Sequence, residues 1–171
     1  MNATVLWVIA AILVIVGIVQ LLQGQWLFGI VLIVLGCLVG LFGLLQLIPY
    51  GRTHSNPPTI AEPAWDSPRT RELAVRACFD CHSNHTKWPW YANVAPSSWL
   101  VQLDVEAGRS VLNFSEWNRP YERARYAGVR TADGNMPLRK YIAAHPEANL
   151  TDAERQELAD GLNRTLGTPN D

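Results

Sequence analysis

Cys78, Phe79, Asp80, Cys81 and His82 form a C-x-x-C-H run. Two thiols three residues apart share one face of a helix, and the histidine after the second stands where its imidazole can reach a metal held beside them. This is the attachment pattern of covalent haem. Both thiols can reach the two vinyl groups along one porphyrin edge, while His82 binds the iron from the proximal side. Three other readings compete. A structural zinc site needs four ligands, and there is no second cysteine pair, only His54, His85 and His145. A thioredoxin-like C-x-x-C expects a βαβ setting, whereas this stretch has helical spacing. A Cys78–Cys81 disulfide leaves His82 without a role.

Iron held by one histidine takes a second axial ligand or keeps an open position. Met136 is the only methionine besides the initiator, and it lies in the polar run Gly134-Asn135-Met136-Pro137. Its thioether is a soft ligand, and Pro137 fixes the backbone behind it. A lone methionine is more often core filler, but a Gly-Asn-Met-Pro loop is a poor place for filler. His54, His85 and His145 are the rival sixth ligands, and an open or water-bound site is the remaining possibility.

The elements that must position these groups fall into two unlike halves. The first charged side chain is Arg52, so all 14 Lys and Arg and all 15 Asp and Glu lie beyond residue 51. That distribution excludes a simple soluble globule, a disordered chain and a purely membranous one. A formal net charge of -1 gives no reason to expect nucleic acid as a partner.

Residues 4–22 and 26–48 are apolar runs that as helices reach about 28 and 35 Å, enough to cross a hydrocarbon core of roughly 30 Å. Only Gln23-Gly24-Gln25 separates them. The reading is a transmembrane helical hairpin over residues 1–48. A cleaved leader is the rival for the first span, but it would need a basic n-region and a small-residue cleavage site. Gly29, Gly36, Gly40 and Gly43 share one face of the second span, suited to packing on the first span or on another membrane subunit.

Residues 49–66 hold Pro49, Pro57, Pro58 and Pro63 and read as an extended, stiff tether. Residues 67–171 read as one all-α domain. Ser67-Pro68 opens a helix toward residue 82, and Pro96-Ser97-Ser98 opens a second, stopped by Gly108. Ser115 caps a third, over 116–127, and Pro137 starts a fourth that ends before Pro146. Thr151-Asp152-Ala153-Glu154 is a capping box for a last helix ending near Gly167. Loops are expected over 83–95 and 128–136. No alternating β-branched run is long enough for a sheet. Trp65, Trp88, Trp90, Trp99 and Trp117, with four tyrosines, are suited to covering a large flat cofactor.

The stretch from Asn56-Pro57-Pro58 and Pro63-Ala64-Trp65 through Cys78–Asn84 resembles a bacterial haem-binding domain family related to monohaem c-type cytochromes. The likeness continues in Trp88-Pro89-Trp90-Tyr91, Ala95-Pro96, Asn113–Trp117, Gly134-Asn135-Met136-Pro137 and Tyr141. The resemblance implies a small cytochrome c-like helical domain with one haem c on Cys78 and Cys81, His82 proximal and Met136 distal. It also implies that the Pro96 carbonyl orients His82.

Thioether formation to haem is an extracytoplasmic process, which places residues 52–171 outside the cytoplasmic membrane. The expected protein carries single electrons between redox partner proteins and contacts membrane lipid; no catalytic acid, base or nucleophile is required. The alternatives are a haem sensor or peroxidase-like enzyme with a labile sixth site, and an accessory haem subunit held through the glycine face.

Overall fold

The computed structural model describes residues 3–169. Residues 1–2 and 170–171, the outermost ends of the expected anchor and of the expected haem domain, lie outside the described residues. The fold is all-helical, and the one β pairing among the described residues is an isolated bridge between Ala61 and Glu116. Contacts divide the chain into two units: residues 1–53 with 89–102, and residues 54–88 with 103–171.

The first unit is built on a hairpin of α1 (Ala3–Leu22) and α2 (Trp26–Leu45), each long and apolar enough to cross a bilayer. Small residues let the two backbones close on each other. A Cβ at Gly36 would meet Val14 at 2.8 Å and the Ala10 carbonyl at 2.9 Å. Gly29, Gly40 and Gly43 face α1 as well, toward Gly17 and Leu21, Ala10, and Leu6 with Trp7. The second helix stops three residues before its expected end at Ile48. There the Gln46 side chain leaves the helix axis, donating to the Ala95 carbonyl at 2.9 Å and accepting from the Ala95 N–H at 3.1 Å. A 3-10 turn at Trp90–Asn93 belongs to the same unit.

The second unit holds α3 (Pro68–Ala77), α4 (Phe79–His82), most of α5 (Ser97–Val111), α6 (Ala127–Ala132), α7 (Arg139–Ala144) and α8 (Asp152–Leu166). The Ser67 hydroxyl accepts the Thr70 N–H, and Thr151 and Glu154 complete the capping box of α8, both as the sequence predicts. The core gathers Leu73, Ala74, Phe79, Leu112, Phe114, Leu150, Leu158 and Leu162. Residues 54–66 contain no helix. Their Ile60 and Ala61 N–H groups donate to the Ser115 carbonyl, and Trp65 packs on Phe114 with tilted rings whose centroids are 5.0 Å apart.

Four expectations are corrected. The helix expected over 68–82 breaks at Cys78, whose φ of -125° is not helical. Gly108 does not stop its helix: it lies inside α5, because a Cβ there would run into the Cys81 carbonyl. Ser115 caps nothing. It is fully buried, and its hydroxyl accepts the Asn84 N–H instead, so residues 116–123 form no helix. The loop expected over 128–136 is partly taken up by α6, which packs on α8.

Candidate functional site

Cys78 sits at the break between α3 and α4, and Cys81 and His82 end α4. The residues between the cysteines hold this short helix in place. Phe79 is buried and packs on Phe114, centroids 5.5 Å apart. Asp80 accepts the Lys87 N–H at 3.0 Å and the Tyr141 hydroxyl at 2.6 Å. Beyond the motif, Asn113 donates to Asn84 at 2.9 Å and accepts the Ser115 N–H at 2.9 Å, all three residues being buried. Arg109 donates to the Ser83 carbonyl at 2.9 Å, and the Phe114 N–H donates to the His82 carbonyl at 2.8 Å. Buried polar atoms left unpaired cost about 1–3 kcal/mol each, so this network fixes the position of α4 against residues 112–116.

The imidazole of His82 is oriented by backbone. Its Nδ1 lies 3.1 Å from both the Gly108 and the Leu112 carbonyl oxygens. Only acceptors surround that nitrogen, so it carries the proton and Nε2 is left with its lone pair free. Burial holds the imidazole below its usual pKa, against the pull of the two carbonyls. A neutral ring with a fixed tautomer is the form that ligates a metal. The carbonyls come from α5 and the residue after it. Pro96, the residue implied for this task, instead accepts the Trp99 and Leu100 N–H groups at the start of α5.

Two cavities meet at His82. The larger, about 750 Å³, is lined by Cys78, His82, Leu112, Phe114, Arg123 and Met136 among others. The smaller, about 240 Å³, is lined by Cys78, Cys81, His82, Asp104, Met136 and Tyr141 among others. Cys78, His82 and Met136 border both. The larger volume lies within the range of about 300–1,000 Å³ that holds cofactor-sized ligands.

No disulfide joins Cys78 and Cys81. Burial, with a smaller effect of Cys81, pushes the Cys78 thiol up to about 12. Burial and the Asp104 and Asp80 carboxylates push Cys81 up to about 11. Protonated thiols of this kind are the reverse of a low-pKa exchange dithiol.

The rival histidines are engaged elsewhere. His54 stacks on Trp88 with centroids 4.7 Å apart, His85 pairs with the Thr59 hydroxyl at 2.7 Å, and His145 stacks on Tyr141 at 4.2 Å. None of the three lines either cavity. The sequence reading gave Asn84 and Asn113 no role outside a resemblance, took Ser115 for a helix cap and counted Tyr141 only among the rings suited to covering a cofactor. It missed Leu112 altogether, because a backbone carbonyl leaves no residue-type signal.

A helical unit with one concave, largely apolar site, two thiols at its edge and a tautomer-fixed histidine defines a cofactor-binding protein. The model of the family described as "Haem-binding domain" matches residues 40–164, and the chain belongs to that family. No curated protein and no solved structure matches the chain at a significant level.

Proposed function

We propose that the chain is a membrane-anchored monohaem c-type cytochrome that carries single electrons on the extracytoplasmic face of the cytoplasmic membrane. The observation that carries this reading is the placing of Cys78, His82 and Met136 on both cavities, with Cys81 on the smaller and Nε2 of His82 free. Haem, when bound, supplies a reversible one-electron couple at its iron. The chain's own residues do the rest. Cys78 and Cys81 would hold the haem by thioethers, and His82 and Met136 would ligate its iron. The carbonyls of Gly108 and Leu112 keep His82 in one tautomer. Phe114, Leu112 and Leu162 give the larger cavity an apolar wall.

Two features support this reading over a zinc site. Among the described residues no three His, Cys, Asp or Glu side chains gather as metal ligands would. The thiols also sit in surroundings that disfavour thiolate.

Partners on this reading are redox proteins and lipid. A further membrane subunit would pack in the apolar groove that Gly36 and Gly40 form with Trp7, Ala11 and Leu41.

A redox titration followed by visible spectroscopy tests the proposal. The expected result is a reversible one-electron couple and, in the oxidised protein, the weak far-red methionine-to-iron band, lost in Met136→Ala. Rapid CO binding by the reduced protein, without that band, would replace the carrier with a sensor or peroxidase-like enzyme.

A further inference from the structure

Arg123 and Arg130 both border the larger cavity, beside Tyr126 and Met136. Arg123 precedes the 3-10 turn Ala124–Tyr126, and Arg130 lies on α6, its carbonyl accepting the Asn135 and Met136 N–H groups at 3.0 Å each. Most cations of this unit reach a carboxylate: Arg69, Arg71, Arg76, Arg119, Lys140, Arg155 and Arg164 all do. The guanidinium groups of Arg123 and Arg130 do not, and among the described residues no other side chain or carbonyl engages them. Two unpaired cations therefore stand at the rim of an otherwise largely apolar cavity.

Their place along the site is ordered. Cys81, Asp104 and Tyr141 border only the smaller cavity, Arg123 and Arg130 only the larger, and Cys78, His82 and Met136 border both. Cys81 borders only the smaller cavity, so a haem held at Cys78 and Cys81 would turn its opposite edge toward the larger one. That opposite edge carries the two propionates. The end it leaves behind holds the Asp104 carboxylate, already paired with Lys140 at 2.8 Å, while the end it enters holds the free guanidiniums. Planar guanidinium forks match carboxylates in geometry as well as charge.

We infer that Arg123 and Arg130 form a carboxylate-binding subsite for the haem propionates, and through them raise the reduction potential of the iron. This inference rests on the haem reading above. A cation near the propionates favours the reduced, less positive centre and keeps the propionates ionised. Removing it does the opposite on both counts.

The test uses the full chain matured with covalent haem, comparing Arg123→Gln, Arg130→Gln, the double variant, the corresponding Lys variants and Arg139→Gln, an exposed arginine that lines neither cavity. Midpoint potential is measured against pH, and haem content is measured on the denatured chains. The expected result is a shift of the redox equilibrium toward the oxidised form, about threefold for each Gln single. For the double it is about tenfold, which is about 59 mV for a one-electron couple. The double variant's potential also rises more steeply as pH falls, while the Lys variants and Arg139→Gln track the parent. Gln variants that fail to load haem where the Lys variants load it normally support the charge requirement. A double variant with the parent's potential and pH profile overturns the subsite while leaving the haem reading intact. A parent chain without covalent haem overturns the haem reading itself.

Discussion

The Tyr141 hydroxyl donates to the Asp80 carboxylate at 2.6 Å, joining α7 to α4. Tyr141 follows Met136 by one turn of chain and a helix start, so this bond ties the proposed distal ligand's segment to the Cys78–His82 run. Burial and the neighbouring carboxylate raise the phenol well above its ordinary range, keeping it a donor at any physiological pH. Hydrogen bonds to charged groups contribute about 1.5–3 kcal/mol. Tyr141→Phe is expected to lose that much by denaturant unfolding and to weaken the far-red methionine band. A variant with unchanged midpoint and unchanged band would show that the bond positions nothing.

Gly108 has no room for a side chain. Its carbonyl accepts His82 Nδ1–H, and the space where a Cβ would stand is filled by the Cys81 backbone carbonyl. Overpacking of this kind costs about 1–3 kcal/mol. Gly108→Ala should therefore push α5 off α4, lowering both the unfolding midpoint and the fraction of chains that acquire haem. Normal haem content in that variant would contradict the packing described.

Acid sensitivity should come in part from Glu154. The Thr151 N–H and then Arg76 hold its carboxyl down from the ordinary 4.5 to about 2. Its pKa is thus lower in the folded chain than in the unfolded one, so the unfolded chain takes up the proton first. The stability it contributes is whole above about pH 4.5 and is lost as pH falls toward 2. Glu154→Gln should flatten the stability profile across that window and leave its slope above pH 5 unchanged. An identical acid limb in the variant would remove the capping-box carboxylate from the account.

The proposed thioether attachment predicts which side of the membrane the polar half occupies. Protease added to intact spheroplasts is expected to degrade residues 52–171 and leave the α1–α2 hairpin. Protection of the polar half until the membrane is lysed would place it on the wrong side for thioether formation.

Much of this was legible in the sequence, and the reasons are local. Ser67-Pro68 and the Thr151–Glu154 box carry their own capping chemistry, so those helix starts appear where expected. The two apolar runs needed only length and composition. Gly108 and Ser115 were misjudged for one shared reason. As isolated residues they read as a helix stop and a cap, but each is fixed by a distant partner, Cys81 in one case and Asn84 in the other. The His82 support was invisible because it is made of main-chain oxygens, and a rule borrowed from a resemblance pointed to Pro96 instead. Arg123 and Arg130 look like ordinary surface charges in sequence; only the cavity beside them and their lack of carboxylate partners single them out.

Intact mass of the denatured full-length chain, expressed with a working cytochrome maturation system, tests the central claim most directly. The account predicts the polypeptide plus one haem, reduced to the bare polypeptide when Cys78 and Cys81 are both changed to Ser. A parent chain that flies at the mass of the polypeptide alone would contradict it.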